Sequence, residues 1–237
     1  MQSGRVVSVN LAVVRTDPFT RVKSGRSGID KRPADHPVRL EVGGVDGDTI
    51  CDTKNHGGPE QAVYAYAVED LDFWTRELER TVTDPATTRP PRAPREAAAP
   101  RRIMPGNVGE NLTLSGIDCS HAVVGERWQV GDAVLRVTGP RTPCRVFSGF
   151  LDVPDLIKRF FAAGRPGAYL AVEQPAAVSA GDPVTVLDRP EHGVTVADLL
   201  AATAGHRELV PRIAQAREHL GPRGREWLDT VLAASRR

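Results

Sequence analysis

The sequence predicts a mainly β fold with added α structure: a strand-rich domain over residues 1–190, followed by a small three-helix module over residues 191–237. In the first two thirds, short segments rich in β-branched residues alternate in polarity, as half-buried strands do. After about residue 190, apolar residues recur at helical spacing instead. The composition, 40% hydrophobic and 26% charged, is ordinary for a globular protein.

The strand predictions follow the alternating segments in order. Each segment is bounded by glycine, proline or charged residues, which are typical of turns. The segment 127–137 contains Gly131-Asp132 at its centre, which predicts two strands joined by a tight turn. The predicted strands are 6–13, 38–42, 62–67, the pair within 127–137, 168–173 and 183–187.

Two helices are predicted within the strand-rich part. Apolar residues recur at helical spacing from Val68 to Leu78, which predicts a helix over 68–80. A second helix is predicted over 152–163, with Asp152 as its N-cap.

Residues 84–105 contain six prolines and five arginines with little apolar content. This composition predicts a flexible, solvated loop. A basic lid over an anionic ligand is the functional alternative.

Three helices are predicted in the tail. Thr195 and Asp198 have the spacing of a capping box, which predicts a short helix ending before Gly205. Helices over 206–220 and 224–234 follow. A module this small is expected to dock on the main domain or on a partner.

Several function classes are disfavoured by the bulk properties. The formal net charge of +1 gives no global field for a nucleic-acid polymer or an anionic membrane. The N-terminus lacks the pattern of a signal peptide, and no apolar run reaches the roughly 18 residues of a membrane span, so we expect a cytoplasmic protein. The three cysteines lie far apart without a C-x-x-C pair, which argues against a disulfide framework or a structural zinc site.

The segment 139–147 is the strongest candidate for chemistry. Cys144 follows a strand in a proline-stiffened turn and lies between Arg141 and Arg145. Neighbouring cations favour a thiolate, which makes the cysteine a better nucleophile or metal ligand. An inert buried cysteine between surface arginines is the alternative from this segment alone.

Three further segments combine glycine with polar residues. His56-Gly57-Gly58 can bring backbone close to a ligand, although a surface turn would look the same. Gly106-x-x-Gly109 does not lie between a strand and a helix, so it is no dinucleotide fingerprint. The third is the 130–137 hairpin. The sequence contains neither a phosphate-binding P-loop nor a G-x-S-x-G elbow.

In order and spacing these segments resemble the MOSC domain, named after the C-terminal domain of molybdenum cofactor sulfurases, and its YiiM-type subgroup in particular. The resemblance spans about residues 6–232 and includes the helical tail from Val194. It departs from the family in the long 84–105 connection and at Cys51, to which no function is assigned. The motifs that carry it are 48–66 with His56-Gly57-Gly58, 106–112, Val130-Gly131-Asp132 and Arg141-x-Pro143-Cys144.

The resemblance implies a closed or nearly closed β-barrel and a molybdenum cofactor (Mo-pyranopterin) whose metal is ligated by Cys144. No pyridoxal phosphate is expected. The soft thiolate suits a metal that also carries dithiolene sulfur. The residues expected to line the cofactor site are His56, Gly57, Gly58, Asn107, Gly109, Glu110, Asn111, Arg141 and Arg145.

The implied activity is that of an oxidoreductase that reduces N-hydroxylated compounds, such as N-hydroxylated purine bases, to amines. Because the sequence shows no flavin, haem or iron–sulfur motif, electrons are expected from a separate reductase, with the helical tail as a candidate docking surface. The sequence does not predict the oligomeric state, and a homodimer is one option. The alternatives are a non-catalytic carrier of the cofactor or of a persulfide on Cys144, and a purely structural barrel with a protein-binding module.

Overall fold

The computed structural model describes residues 2–83, 102–153 and 155–234. Its strands are β1 (Ser3–Ala12), β2 (Arg15–Thr16), β3 (Arg26–Ser27), β4 (Lys31–Pro33), β5 (Val38–Glu41), β6 (Gly44–Val45), β7 (Val63–Ala67), β8 (Leu112–Ser115), β9 (Arg127–Val130), β10 (Ala133–Gly139), β11 (Ala168–Gln174), β12 (Ala176–Val178) and β13 (Pro183–Asp188). Its α-helices are α1 (Val68–Thr83), α2 (Arg145–Leu151), α3 (Leu156–Ala163), α4 (Val196–Thr203), α5 (Val210–Ile213) and α6 (Pro222–Ala234).

Seven of the described strands close a β-barrel in the order β1, β13, β9, β10, β11, β7, β8 and back to β1. The closing pair β1–β13 is antiparallel, with Ser3 opposite Thr185, whereas β7 and β8 run parallel. The barrel interior is filled by alternating aliphatic residues and by Trp128, which is fully buried. The predicted mainly β fold with added α structure, and the barrel that the resemblance implied, are therefore confirmed.

The longer predicted strands agree with the structure to within a few residues, and the short ones were missed. The predicted hairpin over 127–137 is β9 and β10, joined at Gly131, which has a φ of +55°. β8 was not predicted, because its four residues sit next to a glycine-rich segment without a long alternation. Strands of two or three residues leave too little pattern to detect.

The helix α1 lies over the predicted segment and buries Leu71 and Trp74. The predicted helix over 152–163 is wrong at its start: Asp152 has a left-handed φ of +54° and its N–H closes the preceding helix α2 on Gly149. α3 begins only at Leu156. The helix α2 itself was missed, because Gly149 and the prolines before it favoured a turn.

The predicted capping box of the tail is confirmed: the Asp198 N–H donates to the Thr195 hydroxyl at 3.1 Å, and the Thr195 N–H donates to the Asp198 carboxylate at 2.9 Å. The helix predicted over 206–220 is instead a mixed run, in which α5 lies between the 3₁₀ turns Arg207–Leu209 and Ala214–His219. Pro211 lacks the N–H that a long regular α-helix needs here.

The tail packs directly against the barrel. Apolar residues of α4, α5 and α6 belong to the same buried cluster as the barrel interior, among them Val196, Ile213 and Leu228. Gly125 of the barrel is so close to the His219 ring that an added Cβ would lie 2.4 Å from it. The module thus docks on the main domain, while a domain boundary at residue 190 stays a prediction.

Most of the predicted 84–105 loop, residues 84–101, lies outside the described residues. From 102 the chain returns along α1, where the Ile103 N–H donates to the Thr75 hydroxyl at 3.0 Å. None of the helices in the described ranges is long and apolar enough to cross a membrane.

Candidate functional site

A cavity of about 960 Å³ lies between one end of the barrel and the helical tail. Its volume is at the upper end of what small-molecule and cofactor sites use. Of the ten predicted site residues, eight line it: His56, Gly57, Gly58, Gly109, Asn111, Arg141, Cys144 and Arg145. The structure therefore brings together segments that are far apart in sequence.

Cys144 occupies the N-cap position of α2 with extended backbone angles, and its side chain is half-buried at the cavity wall. Burial alone would raise the pKa of its thiol. Hydrogen bonding by His56, the charge of Arg141 and the amide of Phe147 in the first helical turn outweigh burial and lower that pKa to about 7. A substantial thiolate fraction at neutral pH follows, as a nucleophile or soft metal ligand requires.

Arg141 is almost fully buried beside the thiol. It donates to the carbonyl oxygen of Val108, and its guanidinium lies 4.5 Å from the ring centroid of Phe147 and 5.4 Å from that of Tyr64. Its Nε has no hydrogen-bond partner in the described part of the chain. A buried donor left unpaired is costly, so this atom fits a site whose ligand supplies an acceptor.

His56 reaches the cavity from a turn over residues 52–58. Its backbone N–H donates to the carbonyl of Asp52 at 3.0 Å, and its Nδ1 lies 3.4 Å from the Tyr169 hydroxyl. Gly57 follows with a φ of +80°, a backbone conformation that side chains disfavour. Burial raises the pKa of Tyr169, so its phenol stays protonated near neutral pH.

Lys31 and Asp48 also line the cavity and were not predicted individually. Lys31 is buried and forms an ion pair with Asp48, whose carboxylate also accepts from the Asn111 amide at 2.9 Å. Burial lowers the pKa of Lys31, and the attraction to Asp48 opposes it. A lysine in a short, otherwise polar segment carries no sequence signal for burial, which is why it was missed.

Asn107 and Glu110 lie in the predicted loop but not at the cavity wall. The Asn107 side chain accepts from the Met104 N–H at 3.0 Å. Glu110 is fully buried and accepts from the N–H groups of Gly106 and Val108 at 2.6 and 3.2 Å, and from the Thr113 hydroxyl. Both side chains therefore shape the loop that presents Gly109 and Asn111.

The opposite wall comes from the helical tail, which the prediction did not assign to the site. Leu220, Trp227 and Arg223 line the cavity there, and Cys51 and Phe19 also border it. Contacts between residues so distant in sequence leave no local motif.

The polar groups present fit a cofactor that brings its own metal ligands. No group of three or more histidine, cysteine, aspartate or glutamate side chains within the described ranges could hold a metal ion by itself. A metal whose remaining ligands come from a bound organic group needs only one protein thiolate. Among the described residues, the Arg141 Nε and the Gln61 Oε1 have no hydrogen-bond partner, so they offer such an organic group a donor and an acceptor.

Comparison with known proteins gives a family match. A family model described as the MOSC domain matches residues 52–185. The Bacillus subtilis protein YflK is 30% identical over 191 residues, covering 81% of this chain and 76% of that protein. Escherichia coli YiiM is 30% identical over 180 residues, covering 76% and 71%.

A Gibberella moniliformis protein named a reductase is 29% identical over 177 residues, which cover 72% of this chain and 28% of that protein. Among solved structures, YiiM from Geobacillus stearothermophilus has a TM-score of 0.73 at 24% identity, covering 97% of this chain and 99% of that one. At that identity the likeness concerns the fold.

Proposed function

The chain belongs to the MOSC domain family and is YiiM-like, and from that premise we propose that it is a molybdenum-cofactor-dependent reductase of N-hydroxylated compounds, with the Cys144 thiolate as the metal ligand. The name of the Gibberella relative supports an oxidoreductase activity in a coarse sense. N-hydroxylated purine bases are the substrate class we propose.

One observation carries the proposal: a thiol with a pKa of about 7 faces a large cavity beside a buried arginine whose Nε has no partner among the described residues. A soft thiolate suits molybdenum that is also held by dithiolene sulfur. Arg141 would neutralise charge next to the metal, and Arg145 would add a cation for the phosphate of the pterin.

When bound, the cofactor supplies two-electron redox chemistry: an N–OH group, two electrons and two protons give an N–H group and water. The protein's own residues must then deliver protons and exclude competing solvent. The His56–Tyr169 pair at the cavity wall can hold and pass a proton, since burial keeps the phenol protonated and its hydroxyl lies 3.4 Å from the His56 Nδ1. The electrons come from a separate reductase in this proposal.

The test is to produce the protein in a host that makes the cofactor and to measure molybdenum together with the fluorescence of released pterin. Cys144→Ala is expected to lose most of its molybdenum. Cys51→Ala is the matched control, because Cys51 is also half-buried and also borders the cavity; it should keep its metal to within about twofold. Equal molybdenum in wild type and Cys144→Ala would refute the ligand assignment.

Turnover separates the enzyme from a carrier. With an artificial electron donor, the wild type should convert an N-hydroxylated purine to the amine. A protein that binds molybdenum without turnover is a cofactor carrier. A mass increase of one sulfur on Cys144 with little metal identifies a persulfide carrier, and either result overturns the reductase.

A further inference from the structure

Arg223, near the start of α6, reaches from the helical tail to the loop that carries His56. Its Nη1 donates to the carbonyl oxygen of Asn55 at 2.8 Å, and its Nη2 donates to that of Lys54 at 2.9 Å. Both acceptors immediately precede His56. The contact joins residues 168 and 169 positions apart and lies at the cavity wall.

Few other hydrogen bonds hold the loop over residues 52–58. Asp52 accepts from the N–H groups of Asn55 and His56 at 3.3 and 3.0 Å and from the Asn55 side chain at 2.9 Å, all within the loop itself. Lys54 and Asn55 are exposed. Besides the contact of His56 with Tyr169, the two bonds from Arg223 tie this turn to an element outside it.

The position of Arg223 is itself fixed by packing. On the same helix, Leu228 is fully buried in the shared core, Val231 is nearly so, and Trp227 packs against that core. Just before the helix, Gly221 lies against Glu60, whose carboxylate is paired with Arg136. A planar guanidinium with two parallel donors matches two successive carbonyl groups better than a lysine does.

We propose that Arg223 is a positioning residue: by holding the carbonyl groups of Lys54 and Asn55, α6 keeps the His56 imidazole at the cavity wall, beside the Tyr169 hydroxyl and in the cavity that Cys144 also lines. The helical tail thereby becomes part of the site rather than an appended module. The effect on turnover rests on the proposed function, whereas the positioning itself does not.

The experiment uses the full-length chain with Cys51→Ala, produced without cofactor, so that Cys144 is the one accessible thiol; Cys119 is fully buried. The pH midpoint of Cys144 alkylation by iodoacetamide reports the His56 contact independently of access to the thiol. Arg223→Ala is expected to raise this midpoint by about one unit, toward the roughly 8.5 of a free cysteine. Arg223→Lys should restore part of the shift.

Arg225→Ala is the matched control, since it removes the same charge two residues further along the same helix; its midpoint should equal that of the parent. Hydrogen exchange of the 52–58 peptide should accelerate at least severalfold in Arg223→Ala and stay unchanged in Arg225→Ala. These readouts need no metal and no substrate, so they can fail independently of the reductase proposal.

A double variant separates positioning from a direct effect of charge. His56→Ala should raise the midpoint at least as much as Arg223→Ala, and adding Arg223→Ala to it should change nothing further. Unchanged hydrogen exchange of the 52–58 peptide in a folded Arg223→Ala protein would overturn the proposal, and so would an unchanged midpoint. So would a shift that persists undiminished in the His56→Ala background.

Discussion

Two loops border the cavity, and they are held in different ways. The loop over residues 106–111 is fixed from within by Glu110, a fully buried carboxylate that accepts hydrogen bonds from three donors. The loop over 52–58 is held by its own Asp52 and by Arg223 of the tail, both at the surface, and by the contact of His56 with Tyr169. The side-chain contacts of Glu110 are therefore buried, whereas those of Asp52 and Arg223 are exposed.

Because of this difference, the contacts of the first loop should determine global stability, whereas those of the second should determine only the geometry of the site. Removing a buried acceptor leaves donors without water or partner, and the whole fold bears the cost. Removing an exposed contact leaves groups that water can satisfy, so only the local geometry changes. Substitutions in the two loops should therefore be distinguishable by global unfolding.

Glu110→Ala is expected to have the largest effect. It leaves the N–H groups of Gly106 and Val108 and the Thr113 hydroxyl unpaired and opens a cavity, which should lower the free energy of unfolding by about 4 kcal/mol. Urea denaturation measures this. Glu191→Ala, at an exposed position, is the control and should change stability by less than about 0.5 kcal/mol. A Glu110→Ala protein as stable as the control would show that the loop is not held by this carboxylate.

The ionisation of Glu110 should also make the free energy of unfolding depend on pH, with a smaller effect than the substitution. Burial raises the pKa of Glu110 to about 7 despite its hydrogen bonds. Between its ordinary value of 4.5 and about 7 the folded state binds more protons than the unfolded state, so this group makes stability fall as pH rises through that window. The contribution is on the order of 1–3 kcal/mol.

Urea denaturation at several pH values within this window tests the sign. Glu110→Gln cannot ionise and should lose this part of the slope. A slope that is the same in both proteins would assign the pH dependence to other groups.

Asn55→Ala should have the smallest effect on stability. It removes the side-chain bond to Asp52 but leaves both carbonyl contacts of Arg223 intact. The free energy of unfolding should change by less than about 0.5 kcal/mol, and the alkylation midpoint of Cys144 should move less than in Arg223→Ala. A loss of stability comparable to that of Glu110→Ala would erase the contrast between the loops.

The sequence predicts best those features whose cause is local. The capping box of Thr195 and Asp198 and the turn at Gly131 depend on neighbours within three residues, and both appear as expected. The motifs that line the cavity attracted attention because their glycines and Cys144 are unusual at those positions, and their role in a site stays a prediction. The helix α2 was missed because it is only seven residues long and contains Gly149, so its sequence shows no clear helical pattern.

Features that depend on contacts between residues far apart in the sequence could not be predicted from it. Lys31 is buried only because Asp48 lies opposite it in the folded chain. Arg223 looks like any surface arginine until α6 is placed beside residues 54 and 55. The resemblance to a family supplied the expectation of a cofactor site, but not the wall that the tail contributes.

The closure of the barrel between β1 and β13 has a consequence for how the protein is made. Residues 3–5 pair with residues 183–185, so the emerging first strand must wait for nearly the whole barrel to be synthesised before its second neighbour exists. Until then β1 presents an unpaired strand edge, which invites association with other chains. Pairing over so long a separation is also intrinsically slow. The closed barrel therefore exposes the nascent chain to association with other chains during synthesis, before the cavity has formed.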